Sequence, residues 1–206
     1  MKENYEKQKI ALRFWLLGRN YLKAVEAMNF AEKFHDGTRK DGSHEFSHQV
    51  SQALLAKTLE SSFEFKEEVF CVIFLHDICE DKFISYEQIE KLFGTLVRRG
   101  VELMTKVYQG VKLPNDIYYG NLTNLEDGAK IASVCKGFDR VHNLMSMLGG
   151  FTPEKQVSYI QETKDFTIPM LKLARRNFPS QECVYENIKF IMMNQIQLYN
   201  ALNKVA

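Results

Sequence analysis

Residues 69–75 (VFCVIFL) are apolar without interruption, and the next two residues are His76 and Asp77. Seven residues are too few to span a bilayer, so this run belongs inside a folded core. Apolar positions elsewhere recur at helical spacing, and no stretch alternates with period 2 for long enough to suggest a sheet. The run therefore predicts a helix buried nearly all round. A helix of that kind that ends in an imidazole and a carboxylate is costly unless the two are paired or hold a metal. Glu80 and Asp81 come three and four residues after Asp77, on the same side of the helix end. Three carboxylates this close repel one another without a cation. The alternative is a solvated helix terminus, although negative charge there opposes the helix dipole.

Around this helix the pattern predicts one all-α domain of about seven to nine helices spanning residues 1–206. Helices are expected over 5–17, stopped by Gly18, and over 21–34, with Leu22, Val25, Met28 and Ala31 on one face. Residues 35–46 (HDGTRKDGSHEF) are polar, hold two glycines and predict a loop. Helices follow over 47–59 and 65–79. Ser85 to Gln88 has capping-box form ahead of Ile89 and Leu92, and Gly94 separates that helix from one over 96–108. A loop is predicted over 109–116, then a helix over 129–148 stopped by Gly149 and Gly150. Thr152-Pro153 has the form of an N-cap with proline at the first helical position. That helix is expected to run to 177, bent near Pro169. Ser180 is expected to cap the last helix, with Ile188, Ile191, Gln195, Leu198 and Leu202 as its stripe.

Charge and cysteine usage exclude several classes of function. Lys plus Arg number 27 against 26 Asp plus Glu, a net charge of +1. There is no bulk electrostatic drive toward nucleic acid or an anionic membrane, so any anionic ligand must be held by a local cluster. The first ten residues carry charge and lack the apolar core of a signal peptide. Cys71 and Cys79 are expected on one helix about 12 Å apart along its axis, too far to bridge. No CxxC occurs among the four cysteines, and reduced thiols in a cytoplasmic protein are the simplest reading.

Three further groups of polar residues bear on chemistry. Asp139, Arg140 and Asn143 fall three or four residues apart, so a helix can turn a carboxylate, a guanidinium and an amide toward one cleft. The same spacing also describes an ordinary polar face. His48 opens a helix, where a lone histidine is more often structural than a ligand. Arg39, Lys40 and Gly42 precede it in a loop that can clamp phosphate or simply be a solvated turn. Arg98-Arg99 and Arg175-Arg176 read as solvated faces, Trp15 as packing, and Met192-Met193 as core or a self-association surface of a homo-oligomer.

Taken in order, Arg39-Lys40-x-Gly42, His48, His76-Asp77-x-x-Glu80-Asp81 and Asp139-Arg140-x-x-Asn143 resemble the HD-domain metal-dependent phosphohydrolases. Within them the chain is most similar to the hydrolase domain of RelA/SpoT proteins and to the small alarmone hydrolases. The likeness includes His35-Asp36-Gly37-Thr38, Leu75 to Asp81 and Lys136 to Asn143, and covers residues 21–163, where Glu162-Thr163 also fits. The C-terminal helices, 164–206, lie beyond it.

The resemblance implies roles. His48, His76, Asp77 and Asp139 would hold a divalent ion; two nitrogens and two carboxylates suit a borderline ion, and the family typically uses manganese, with another divalent ion as the alternative. Glu80 and Asp81 would orient or deprotonate the attacking water. Arg39 would pack beside the nucleobase, with Lys40 and Asn143 near the ribose or phosphates. Arg140 and His142 would support these groups. The implied reaction removes the 3′-pyrophosphate of (p)ppGpp and leaves GDP or GTP. Nothing after Asn143 resembles a synthetase domain, which implies degradation only. Gln49, His44-Glu45 and Lys82 depart from the family pattern on the nucleotide side. Two rival readings are an HD phosphohydrolase acting on another nucleotide (ppApp, NADPH or a 5′-deoxynucleotide) and a catalytically silent nucleotide sensor. Tyr118, Tyr119 and Asn121 either line the pocket or, as aromatics at such spacing more often do, build core.

Overall fold

The computed structural model describes residues 2–39, 42–82 and 84–204. Among them the chain forms twelve α-helical segments and a two-stranded hairpin. The first seven helices are α1 (Lys2–Gly18), α2 (Leu22–Glu32), α3 (Ser47–Lys57), α4 (Lys66–Leu75), α5 (Ile78–Asp81), α6 (Tyr86–Phe93) and α7 (Thr95–Met104). The hairpin strands β1 (Val107–Tyr108) and β2 (Val111–Lys112) follow. Then come α8 (Asn115–Asn121), α9 (Asp127–Gly150), α10 (Pro153–Glu162), α11 (Ile168–Asn177) and α12 (Glu182–Lys204). The all-α expectation holds. No helix among the described residues is long and apolar enough to cross a membrane.

Two helices form the centre. Every side chain from Val69 to Leu75 on α4 is fully buried, and each large one contributes up to about 1.5–3 kcal/mol of apolar burial. α4 packs on α2, α3, α7 and α9, while α9 also meets α3, α7, α11 and α12. Gly137 lets α12 approach α9 closely, because a Cβ there would lie 2.9 Å from Ile188 Cδ1 and Cγ2. Trp15 packs on Tyr21 and Phe70 as expected. α3, α4 and α9 thus converge where their polar residues sit.

The structure corrects the predicted elements in six places. The helix expected over 65–79 breaks at His76 and Asp77, which cap α4 and α5 respectively. The helix expected over 153–177 is interrupted by a π-helical turn, Thr163–Thr167, in which Ile168 N–H reaches back five residues to Thr163 O. Pro169, which has no N–H to donate, follows immediately. These breaks, and α8 in a segment not expected to be helical, raise the helix number above seven to nine. The helix expected over 96–108 ends at Met104, and its last two residues form β1, which pairs with β2 in the expected loop across a turn at Gln109 (φ 50°) and Gly110 (φ 80°). Two positive φ values make the tight turn that suits a hairpin's twist, and strands of two residues are too short to show alternation. α9 runs through Gly149 and Gly150 to its cap at Phe151.

The sixth correction is on α12. Ile188, Met192, Ile196 and Tyr199 are buried, whereas Leu198 and Leu202 are exposed. The buried stripe is therefore rotated from the one expected. Met192 is core and Met193 is 45% exposed. The last helix also starts later than Ser180, which lies in a 3-10 turn, Pro179–Gln181. The caps at Ser85 and Thr152 form as expected, accepting from Gln88 N–H and Lys155 N–H.

Candidate metal and active site

The break after Leu75 leaves His76 buried and brings it and the more exposed Asp77 to the point where α3 and α9 pass. His48 lies in the first turn of α3 and Asp139 in the middle of α9. His76 Nε2 is 3.1 Å from Asp77 Oδ2 and 4.0 Å from Asp139 Oδ1, and His48 Nε2 is 3.2 Å from Asp139 Oδ1. One ligating atom each from His48, His76 and Asp77 lie within 4.8 Å of one another. The four residues singled out for a metal are thus brought together from α3, the break between α4 and α5, and α9.

Proton placement on the imidazoles tests whether a metal fits. His76 Nδ1 is 2.8 Å from Ile73 O. A carbonyl can only accept, so Nδ1 carries the hydrogen, and in the neutral ring Nε2 keeps its lone pair. That Nε2 is buried and makes no hydrogen bond, the arrangement a metal-binding histidine requires. His48 Nδ1 is 2.8 Å from His142 Nδ1, so one ring donates and the other accepts. If His48 donates, its Nε2 keeps a lone pair, but unlike that of His76 this atom has a close amide neighbour. Gln52 Nε2 lies 2.6 Å from that same Nε2, and Gln52 Oε1 has no partner.

Strong local fields act on these groups. Burial favours neutral His76, but the adjoining Asp77 and Asp139 outweigh it and raise its pKa. Burial opposes the Asp77 carboxylate, and His76 outweighs that and lowers its pKa. For His48 burial wins, and its pKa falls. Asp139 is held well below the usual carboxylate range, against burial, by Lys136 and His48. Lys136 Nζ donates to Asp139 Oδ2 at 2.9 Å, and Asn143 Nδ2 donates to Asp139 Oδ1 at 2.7 Å. The Asn143 amide nitrogen, expected near ribose or phosphate, is therefore committed to orienting a carboxylate.

The acidic pair occupies α5. Glu80 Oε2 accepts from the backbone N–H groups of Lys106 and Val107, at 3.0 and 3.2 Å, and so anchors the start of β1. Asp81 lies at the surface of the site. Desolvation, then the charges of Asp77 and Glu80, raises its carboxyl to about 6.

Arg39 is carried on the loop before α3 and lines a cleft of about 310 Å³ with Thr38, Glu45, Ser146, Gly150, Phe151 and Lys155. Lys40, expected beside it, lies outside the described residues. Arg140 is fully buried and takes a different part from the cleft residues. It donates to Tyr119 Oη at 2.6 Å and Glu162 Oε1 at 2.8 Å, and stacks on Tyr159 at 3.8 Å. Tyr118 and Tyr119 are buried, and Asn121 lines a separate cleft beneath the hairpin.

Sequence reasoning singled out no role for Gln52, Lys136, Ser146 or Lys106. Gln52 falls one helical turn after His48, and Lys136 falls one turn before Asp139. Those spacings were a readable signal. Ser146 and Lys106 reach their places only through tertiary contacts.

No family model matches the chain. The chain is similar to a protein of Synechocystis named as a guanosine-3′,5′-bis(diphosphate) 3′-pyrophosphohydrolase, 33% identical over 150 residues that cover 70% of this chain and 19% of that protein. It is also similar to chloroplastic proteins named as GTP diphosphokinases. One from Oryza sativa is 29% identical over 82% of this chain and 24% of its own length. Another from Arabidopsis thaliana is 30% identical over 85% of this chain and 20% of its own length. The chain spans about a fifth to a quarter of the length of these relatives.

Proposed function

From the premise that this chain belongs to the RelA/SpoT-type family, we propose that it hydrolyses the 3′-pyrophosphate of (p)ppGpp with a divalent ion, manganese in this reading. The observation that carries the proposal is the convergence of His48, His76, Asp77 and Asp139, with the buried Nε2 of His76 facing both carboxylates. Those four residues would hold the ion. When bound, it supplies a water of lowered pKa and a positive charge for the phosphoryl oxygens.

The chain's own groups do the rest. Lys136 and Asn143 keep Asp139 ionised and oriented. Asp81, and Glu80 through the oxygen not committed to the hairpin, orient the water and take its proton. The water oxygen bonds to the phosphorus attached to the ribose 3′-oxygen, and that P–O bond breaks. The 3′-oxygen leaves as a hydroxyl after gaining a proton, and pyrophosphate departs. Arg39 and Lys155, with Ser146 and Phe151, make a cleft of mixed charge and aromatic character suited to a polyphosphorylated nucleoside.

The test is turnover of ppGpp by the manganese-loaded protein, with product chromatography. ppApp, NADPH and a deoxynucleoside monophosphate run beside it, as does GTP with ATP for diphosphate transfer. GDP plus pyrophosphate, abolished by chelator, is the expected result. Cleavage of another compound alone discards the substrate and keeps the site, and diphosphate transfer to GTP discards the hydrolytic reading.

A further inference from the structure

We infer that the Glu45–Lys82 ion pair is a positioning link, which sets the distance between the Arg39 loop and the acidic wall of the site. The inference rests on the reading of the Arg39 cleft as a nucleotide site, and it concerns two residues to which that reading gives no part.

The loop that carries Arg39 is folded back on itself. Arg39 N–H donates to Ser43 O at 2.9 Å, and Glu45 N–H donates to Gly37 O at 2.8 Å. Thr38 and His44 pair as an antiparallel bridge. Glu45 closes the base of this hairpin with both carboxylate oxygens. Oε2 accepts from Gly37 N–H at 3.2 Å, and Oε1 accepts from Lys82 Nζ at 2.9 Å. A Cβ at Gly37 would lie 2.9 Å from Glu45 Oε2 and would displace that carboxylate.

Lys82 is the C-cap of α5, directly after Asp81. The pair therefore joins the element bearing the nucleotide-facing cation to the element bearing the water-facing acids. Glu45 itself lines the cleft with Arg39. The two side chains are 25% and 27% exposed, so solvent screens the pair less than an open surface bridge. Burial works against the Glu45 carboxylate, yet Lys82 and the Gly37 amide hold its pKa below the ordinary value. From the far side His44 stacks on Tyr5 of α1, with ring centroids 4.8 Å apart and planes 13° apart. The loop is thus backed by α1 and tied forward by one ion pair. A loop held in place before binding spares the nucleotide the cost of ordering it, so loss of the tie weakens binding.

The test uses the whole chain loaded with manganese, ppGpp as substrate, and amide hydrogen exchange at Gly37, Arg39 and Glu45. Lys82→Met should raise KM by about two- to fivefold, the span of a partly exposed ion pair. It should leave kcat and manganese affinity close to wild type and speed exchange at the Gly37 and Glu45 amides. Lys82→Arg should restore both. Glu45→Gln keeps an acceptor for Gly37 but loses the charge, and the Glu45→Gln/Lys82→Met double variant should be no worse than the poorer single. Unchanged KM and exchange in Lys82→Met, or single effects that add in the double variant, would overturn the link. If the wild type cleaves no ppGpp, the nucleotide reading fails, and the exchange arm decides the link by itself. Faster exchange reversed by Lys82→Arg then supports it, and unaltered exchange overturns it.

Discussion

Asn143 donates its side-chain amide to Asp139 Oδ1 at 2.7 Å, from one turn further along α9. With Lys136 on the other oxygen, both oxygens of Asp139 are held by residues of its own helix. The aspartate is presented to His48 and His76 in a fixed orientation before any ligand arrives. Much of the site's behaviour follows from this arrangement.

Asn143→Ala should lower manganese affinity by about 10–100-fold, the usual cost of removing a group that orients a metal ligand. Titration calorimetry with manganese measures it directly. Unchanged metal affinity with a raised KM would return Asn143 to the nucleotide side, where the sequence reading had it.

Asp77→Ala should abolish bound manganese and turnover together. Asp77 lies outside the fully buried run of α4 and caps only the four-residue α5, so far-UV circular dichroism should keep its helical signal. Elemental analysis of the purified variant gives the metal content. Retained stoichiometric manganese would remove Asp77 from the ligand set.

Glu80 is open to two parts, and one substitution separates them. Glu80→Gln keeps an acceptor for the Lys106 and Val107 amides but cannot take a proton. Turnover should fall by about a hundred- to ten-thousand-fold, as for loss of a general base, while exchange at those two amides stays slow. Near-normal turnover in this variant would leave Glu80 as an anchor for the hairpin and nothing more.

Glu162 makes stability depend on acid pH. Burial alone would raise its pKa, but Arg140, Tyr119 and Lys106 outweigh that and hold it at about 2. A carboxylate depressed in the folded state stabilises fully above its unfolded pKa and loses that contribution as pH falls through the folded one. The loss should run from about pH 4.5 down to pH 2 and amount to about 2–3 kcal/mol. Urea midpoints of wild type and Glu162→Gln across this range isolate it. Parallel curves for the two proteins would show that the Arg140 contact contributes nothing net.

The chain alone determined the helical class, because apolar spacing is a local property of each segment and α4 is legible as an unbroken run. It also located His76, Asp77, Glu80 and Asp81, because burying such groups after that run demands a partner. Those local rules misplaced boundaries where the cause was not local. The α12 stripe was set by the face that α9 and α11 leave for it, and β1 and β2 were too short to show a period.

Only the tertiary structure decided who pairs with whom. His48 does not reveal its tautomer in sequence, since this depends on His142. Glu45 and Lys82 each looked like an isolated departure from a family pattern, and folding makes them partners at 2.9 Å. Glu80 reads as an acid in sequence and is also the acceptor for two amides of a hairpin. The physical reason is common to all three. Residue type and spacing fix what a side chain can donate, accept or carry, whereas the partner is chosen by packing between helices far apart in the chain.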